Sequence, residues 1–393
     1  MELDSPARLA AAWLTTFVVG TELFVFSPLL PVLAADYHTT VAIAGLSVTI
    51  FSLAYMLSAP LFGHVADRIG RRRVLICSLR VFAFVNLLTA LAPDLLSLFT
   101  VRLFAGAAAA GISPSIYALV GSTAPPHRRA TWLALAASGL VVSLAFGASA
   151  GAILGRSFGW PAIFVALAGF SLALAPVNRR VWPPDPKIMA QASAPRGNRL
   201  PGTVLARRMV PTAVWSTGLY GVYTYLGVGL SAAGFSTAQI AQAILCYGCG
   251  AIAGIFIGGR AADRFGVKFT AGASFAGLCA CLLLLRLAFD TGILIEPAIG
   301  VGSAIAQLFF PAQQAGLAND FPAHRSAALA WNNSALFFGI ALGSFLGGKA
   351  VVLSDFDTDL TISAGIALIG WFVNAAVVPN RALRGTGCIN DPR

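Results

Sequence analysis

The chain has 393 residues, of which 58% are hydrophobic and only 10% charged, well below the roughly 25% charged residues of a soluble globular protein. Its mean hydropathy of +0.80 is spread along the whole length, which excludes a soluble enzyme carrying a single membrane anchor. The net charge of +11 would suggest nucleic acid in a soluble protein, but the positions of the basic residues, taken up below, account for it without nucleic acid.

Apolar segments long enough to cross a bilayer recur at 10–33, 43–66, 73–92, 95–121, 131–154, 160–177, 209–231, 237–260, 269–288, 291–315, 326–348 and 359–380. They predict an all-α membrane protein of twelve transmembrane helices. The first segment is too long for a signal-peptide core and has no short basic leader with a small-residue cleavage site, so it is expected to stay as helix 1.

Helix 1 carries Gly20-Thr-Glu22-Leu-Phe-Val-Phe-Ser27-Pro28-Leu-Leu-Pro31, followed by Asp36. Glu22 lies about halfway along it, and an acid at membrane depth is a functional candidate. The loop after helix 2 reads Gly63-His-Val-Ala-Asp67-Arg68-Ile-Gly70-Arg71-Arg-Arg73. Asp67 can accept charge-assisted hydrogen bonds and face a helix N-terminus, while Gly63 and Gly70 permit close approach. The loop is expected to latch the two halves of the protein together, and its arginines also set topology.

Helix 4 places Arg102-Leu-Phe-Ala-Gly106 within a span. A buried arginine costs roughly 2.5–3.5 kcal/mol on insertion scales, so it needs a partner or a wet cavity. Glu22 is the best partner. Either the pair holds helices together permanently, or Glu22 takes up and releases a proton while Arg102 senses its charge. In helix 5, Gly147, Gly151 and Gly155 follow a small-xxx-small spacing that suits close packing on a neighbouring helix.

A polar, Pro- and Arg-rich stretch at 178–208 divides the spans six and six and is expected to be a cytoplasmic linker. Beyond it the first half recurs: a shift of 196 residues carries Gly63, Asp67, Arg68 and Gly70 onto Gly259, Asp263, Arg264 and Gly266. The same shift carries Gly147 and Gly151 onto Gly343 and Gly347, and Pro126-His127-Arg128 onto Ala323-His324-Arg325 within one residue. This internal repeat predicts bundles at 1–177 and 209–380, the linker between them and a cytoplasmic tail at 381–393. With both termini inside, 21 of the Lys and Arg residues fall on the cytoplasmic side and three, Arg156, Arg286 and Lys349, outside, as the positive-inside rule requires.

The loop at 63–73 resembles the signature loop of the major facilitator superfamily, Asp263 and Arg264 belong to its second, weaker copy, and Arg102 with Gly106 resembles the superfamily's second motif. The segment from Gly20 to Pro31 is similar to helix 1 of the 12-helix drug:proton antiporter family of bacterial sugar, purine and drug exporters. In helix 5 the Pro usual in antiporters is missing, and Gly159-Trp160-Pro161 has Pro where relatives commonly carry Arg. The resemblance implies two pseudo-symmetric six-helix bundles, the major facilitator fold, with a central cavity lined by helices 1, 4, 7 and 10. On those helices this chain offers Tyr117, Trp215, Tyr220, Tyr223, Gln307, Gln313 and Gln314, a set suited to an amphipathic, partly aromatic ligand.

Cys246 and Cys249 form a CxxC without an accompanying His or acid, so no metal site is expected. No Gly-x-x-x-x-Gly-Lys-[Ser/Thr] motif occurs and no cofactor is expected, leaving the proton gradient as the energy source. One proton moving through about 150 mV yields roughly 3.5 kcal/mol, enough for a solute ratio of a few hundred. None of the four histidines sits in a spacing that would bind metal or activate a serine, which disfavours a membrane enzyme. The expectation is therefore a secondary transporter, working as a monomer in the bacterial inner membrane by alternating access. Its partners would be protons, lipid and a small molecule, with proton-coupled efflux favoured over uptake by symport.

Overall fold

A computed structural model describes residues 6–125, 128–184, 202–291, 294–321 and 324–377. The described residues form helices α1 (Pro6–Phe24), α2 (Phe26–Asp36), α3 (Val41–Ile69), α4 (Arg71–Ala90), α5 (Leu95–Thr123), α6 (Arg129–Val142), α7 (Ala148–Phe158) and α8 (Pro161–Val181). The second series is α9 (Gly202–Ala232), α10 (Thr237–Phe265), α11 (Val267–Thr291), α12 (Ile295–Gln307), α13 (Phe309–Asp320), α14 (Arg325–Leu353) and α15 (Phe356–Val377). A π-helical turn at Ser143–Gly147 joins α6 to α7, so α6–α7 is one span, as are α1–α2 and α12–α13.

Among the described residues, ten helical stretches are long and apolar enough to cross a bilayer, and the bent α1–α2 pair makes an eleventh. The twelfth span is α9. It has the length, 31 residues, but its tyrosines, serines and glycines make it less apolar than the other spans. It is instead enclosed: every residue from Trp215 to Gly227 is buried. Elsewhere large apolar side chains such as Leu57, Leu61, Phe84, Leu96 and Phe170 stand on the outer surface, where hydrocarbon rather than water surrounds them.

The packing repeats between the halves. The contacts of α3 with α5, α4 with α8, and α1 with both α6 and α8 are matched by those of α10 with α12, α11 with α15, and α9 with both α14 and α15. The turns after α3 and α10 repeat too. Gly70 and Gly266 both end their helices with positive φ, 99° and 87°, a conformation that only glycine adopts without strain.

Helical structure reaches into both ends of the expected linker. α8 continues to Val181 because Asn178 donates to Thr15 Oγ1 at 3.0 Å and accepts from Trp182 Nε1 at 2.8 Å, burying Trp182. α9 begins at Gly202, and its first turns bury Leu205 and Met209 against Leu317, Phe321 and Ala328. The rest of the linker and the predicted tail lie outside the described residues, as does His127.

Candidate functional site

Glu22 of α1 and Arg102 of α5 form an ion pair with both side chains fully buried. Arg102 Nη1 donates to Glu22 Oε1, and Nε donates to the Ser47 carbonyl at 3.3 Å. The guanidinium lies over the rings of Phe26 and Phe51, 4.1 and 4.4 Å from their centroids, which shields the charge and adds cation–π attraction. Glu22 Oε2 and Arg102 Nη2 have no hydrogen-bond partner. The pair is thus joined through one oxygen only, and the second has an open lone pair. Unsatisfied polar atoms in so dry a place are expensive.

Small residues bring these helices together. A Cβ on Gly106 would collide with the Phe51 backbone, so α5 lies directly on α3. On the other side of α1, the three glycines of helix 5 meet its span in register. Gly147 faces Thr21, Gly151 faces Val25, and Gly155 lies 3.3 Å (as a Cβ) from Leu29. Both strides are four residues, which is how two helix faces interlock.

Just beyond Glu22 the first span breaks by 43° between α1 and α2. Pro28 has no N–H to give the Phe24 carbonyl four residues back. Tyr223 of α9 supplies the missing donor, its hydroxyl reaching Phe24 O at 3.0 Å, while Ser27 Oγ donates to Tyr223 O at 2.5 Å. Both bonds join the first half to the second. A small cavity opens beside them, lined by Phe24, Ser27 and Val48 from one half and Tyr220, Tyr223 and Thr224 from the other.

Aromatic rings surround that cavity. Phe24 stacks on Tyr220 at 6.0 Å and meets Tyr223 edge-on at 5.6 Å, and Tyr223 lies 4.8 Å from Tyr247. Trp215 stacks on Phe309 at 5.1 Å and donates to the Ala306 carbonyl at 2.8 Å. The buried Gln307 side chain lies beside Tyr220. Of the other expected lining residues, Tyr117 and Gln314 are half-buried. Gln313 does not serve the cavity: it is fully buried and donates to the Arg208 carbonyl at 2.8 Å, tying α13 to the start of α9. Arg208 itself pairs with Asp320 at 2.5 Å.

Among the described residues, the expected latch residues show no contact with the opposite half. Asp67 pairs only locally with Arg71, at 3.5 Å and largely exposed, and no atom lies within 4 Å of a Cβ built on Gly63. Arg68, Asp263 and Arg264 are exposed, with Arg264 over the neighbouring Phe265 ring at 5.3 Å. The halves instead meet toward the other end of the bundle. There Ser344 donates to Gly45 O at 3.1 Å, Ser149 donates to Ala241 O at 3.0 Å, and Gly248 abuts the Ala145 backbone. Among the described residues, these contacts between the halves lie at the far end, away from the basic end where Asp67 and Asp263 stand.

Sequence reasoning did not single out Tyr55, Tyr247, Phe24 or Asp359. Tyr55 stacks on Phe337 of the other half with centroids 3.6 Å apart. Phe24 could have been found from Pro28, since a proline inside a span always frees one carbonyl. Asp36 accepts from Trp160 Nε1 at 2.7 Å, which ties the end of α2 to the start of α8.

A family profile described as Major Facilitator Superfamily matches residues 12–241 and 217–386. The chain is 29% identical over 341 residues to YceJ, an uncharacterised transporter of that type from Bacillus subtilis, covering 84% of this chain and 86% of the relative. It is 26% identical to the inner membrane transport protein YdhP of Escherichia coli K12, covering 96% and 98%. Among solved structures, a D-xylose-proton symporter superposes with a TM-score of 0.81 at 18% identity, over 95% of this chain and 98% of that one. That likeness is one of fold.

Proposed function

We propose that this chain, which belongs to the Major Facilitator Superfamily, exports a small amphipathic compound in exchange for protons. That it is a secondary transporter follows from the family. The finer reading is ours and rests chiefly on one observation: the buried Glu22–Arg102 pair, with Glu22 Oε2 unpartnered, one turn from a cavity shared by both halves.

Protonating Glu22 removes the charge that Arg102 faces and frees the guanidinium to seek another acceptor. Because α1 runs straight into the break at Val25, a change in the pair reaches Phe24 and Ser27, which hold the two halves together. Proton binding and the contacts between halves are coupled through one helix. In this conformation the cavity has room for little more than a water molecule, but its walls carry rings and neutral hydrogen-bonding groups rather than fixed charges, which suits a ligand with an apolar, partly aromatic body once the halves move apart. The export direction draws on the likeness of the segment from Gly20 to Pro31 to drug:proton antiporters. The inner-membrane relative YdhP and the positive-inside distribution support residence in the bacterial inner membrane with the basic end cytoplasmic.

The test uses everted membrane vesicles holding an imposed pH gradient. A panel of drugs, sugars and nucleosides is added to wild type and to Glu22→Gln. A compound that collapses the gradient in wild type and leaves it intact in the variant supports exchange coupled at Glu22. Uptake of the compound with protons, in the opposite orientation, would replace the proposal by symport.

A further inference from the structure

Asp359, in the first turn of α15, is a buried carboxyl that the transport reading above does not use. It is 1% exposed, its Oδ2 has no hydrogen-bond partner, and Oδ1 receives only a long contact from Ser363 Oγ at 3.5 Å. It does not cap its helix, because Asp355 Oδ1 already accepts from Thr358 N at 2.8 Å. Among the described residues, the cations of the neighbouring helices are engaged elsewhere. Arg286 of α11 bonds Thr361 at 3.0 Å, and Lys349 of α14 lies over the Phe345 ring at 5.8 Å. Asp357 and Asp355, on and just before its own helix, are further acids. The titratable group facing it from α9 is Tyr225.

Its neighbours connect it to the seam between the halves. The notch that holds the carboxyl is Gly347 of α14, where a Cβ would lie 3.0 Å from both Asp359 Oδ1 and the Tyr225 ring. Tyr225 donates to Ser344 O at 3.0 Å, and its hydroxyl fills the space left by Gly45 of α3 and Gly348 of α14. Ser344 in turn donates to the Gly45 carbonyl across the seam. One ring therefore separates Asp359 from the contact that closes the far end.

We propose that Asp359 is a second proton-binding site of this transporter, protonated while the far seam is closed and deprotonated to water when the seam opens. A charged carboxylate here would have no cation and no full hydrogen bond, and burying one in that condition is costly. As a neutral acid it fits. Separation of α3 from α14 withdraws Gly45 and Ala42 from Tyr225 and Gly348, and water then reaches the carboxyl and stabilises its charge. Closure and proton binding are linked, so each favours the other. The inference depends neither on Glu22 nor on the direction of transport.

The experiment is infrared difference spectroscopy on the full chain in lipid nanodiscs, titrated from mildly acidic to alkaline pH. The expected result is a carbonyl stretch of a protonated carboxylic acid that disappears on alkalinisation and is missing from Asp359→Asn at every pH, while Glu22→Gln retains it. Amide hydrogen exchange at the far ends of α3 and α14 should rise with pH faster in wild type than in Asp359→Asn, compared at equal pH. If Asp359→Asn does not fold, Asp359→Glu serves, and a shifted rather than missing band supports the assignment. Spectra and exchange that superimpose on wild type through the whole titration would overturn it, whatever Glu22→Gln does to transport.

Discussion

The Tyr223 hydroxyl lies 3.0 Å from the Phe24 carbonyl, the one carbonyl in that turn that Pro28 leaves without its helical donor. A bend in the first half is thereby completed by a side chain from the second. Replacing Tyr223 by Phe removes one buried hydrogen bond, about 1 kcal/mol, and leaves the Phe24 carbonyl unserved. The expected outcome is a roughly fivefold shift toward the conformation open at the far end. Distances between labels on the far ends of α3 and α14 would measure it.

Single removal of Arg102 leaves the Glu22 carboxyl buried without its partner, and truncating one member of such a pair costs about 3–5 kcal/mol. Arg102→Met should therefore unfold at lower temperature than the double variant Glu22→Gln/Arg102→Met, which has no buried charge left. Thermal unfolding of the purified proteins in detergent, arranged as a double-mutant cycle, reads the coupling directly.

Two glycines of the first half should respond differently to enlargement. Gly147→Leu drives a side chain into Thr21 and should destabilise the protein by about 1–3 kcal/mol through overpacking. Gly63→Leu meets open space in this conformation and should leave thermal stability unchanged. If closing the basic end brings Gly63 against the opposite half, as its place in the latch implies, the same variant slows transport while the protein stays folded.

Asp94 caps α5 by accepting from the Ser97 backbone N–H at 2.8 Å, and that bond holds its carboxyl below the usual aspartate range. A depressed carboxyl contributes stability that is present above the unfolded-state value and is lost as pH falls through the folded one. Asp94→Ala should thus melt below wild type at neutral pH, and the two should converge in acid. Melting temperature against pH for both proteins is the measurement.

The partnership of Glu22 with Arg102 was legible in the sequence because two opposite charges at membrane depth have few other solutions. The repeat at Asp67 and Asp263 was legible as well, since its turn needs glycine at Gly70 and Gly266 in both halves. The roles of the lining residues were harder to read. Gln313 and Gln307 lie six residues apart on neighbouring turns of one span, yet Gln313 holds the Arg208 carbonyl and Gln307 meets Tyr220, because the helix breaks at Leu308 between them. Asp359 is the first residue of the span at 359–380, and nothing in its local sequence marks it as enclosed. Only the notch at Gly347 and the ring of Tyr225 show that it is enclosed.

By itself the sequence determined the membrane class, the span positions, the twofold repeat and the charged pair, because each is an averaged or local property: hydropathy over about 20 residues, spacing between like motifs, or the cost of a lone charge in hydrocarbon. Tertiary structure alone decided which helix is enclosed, where the described halves touch, and which polar groups meet across them. Those outcomes depend on contacts between residues far apart in sequence, such as Gly45 with Ser344, 299 positions away. Such contacts are set by where glycines let backbones approach and where prolines free carbonyls for a distant side chain to take.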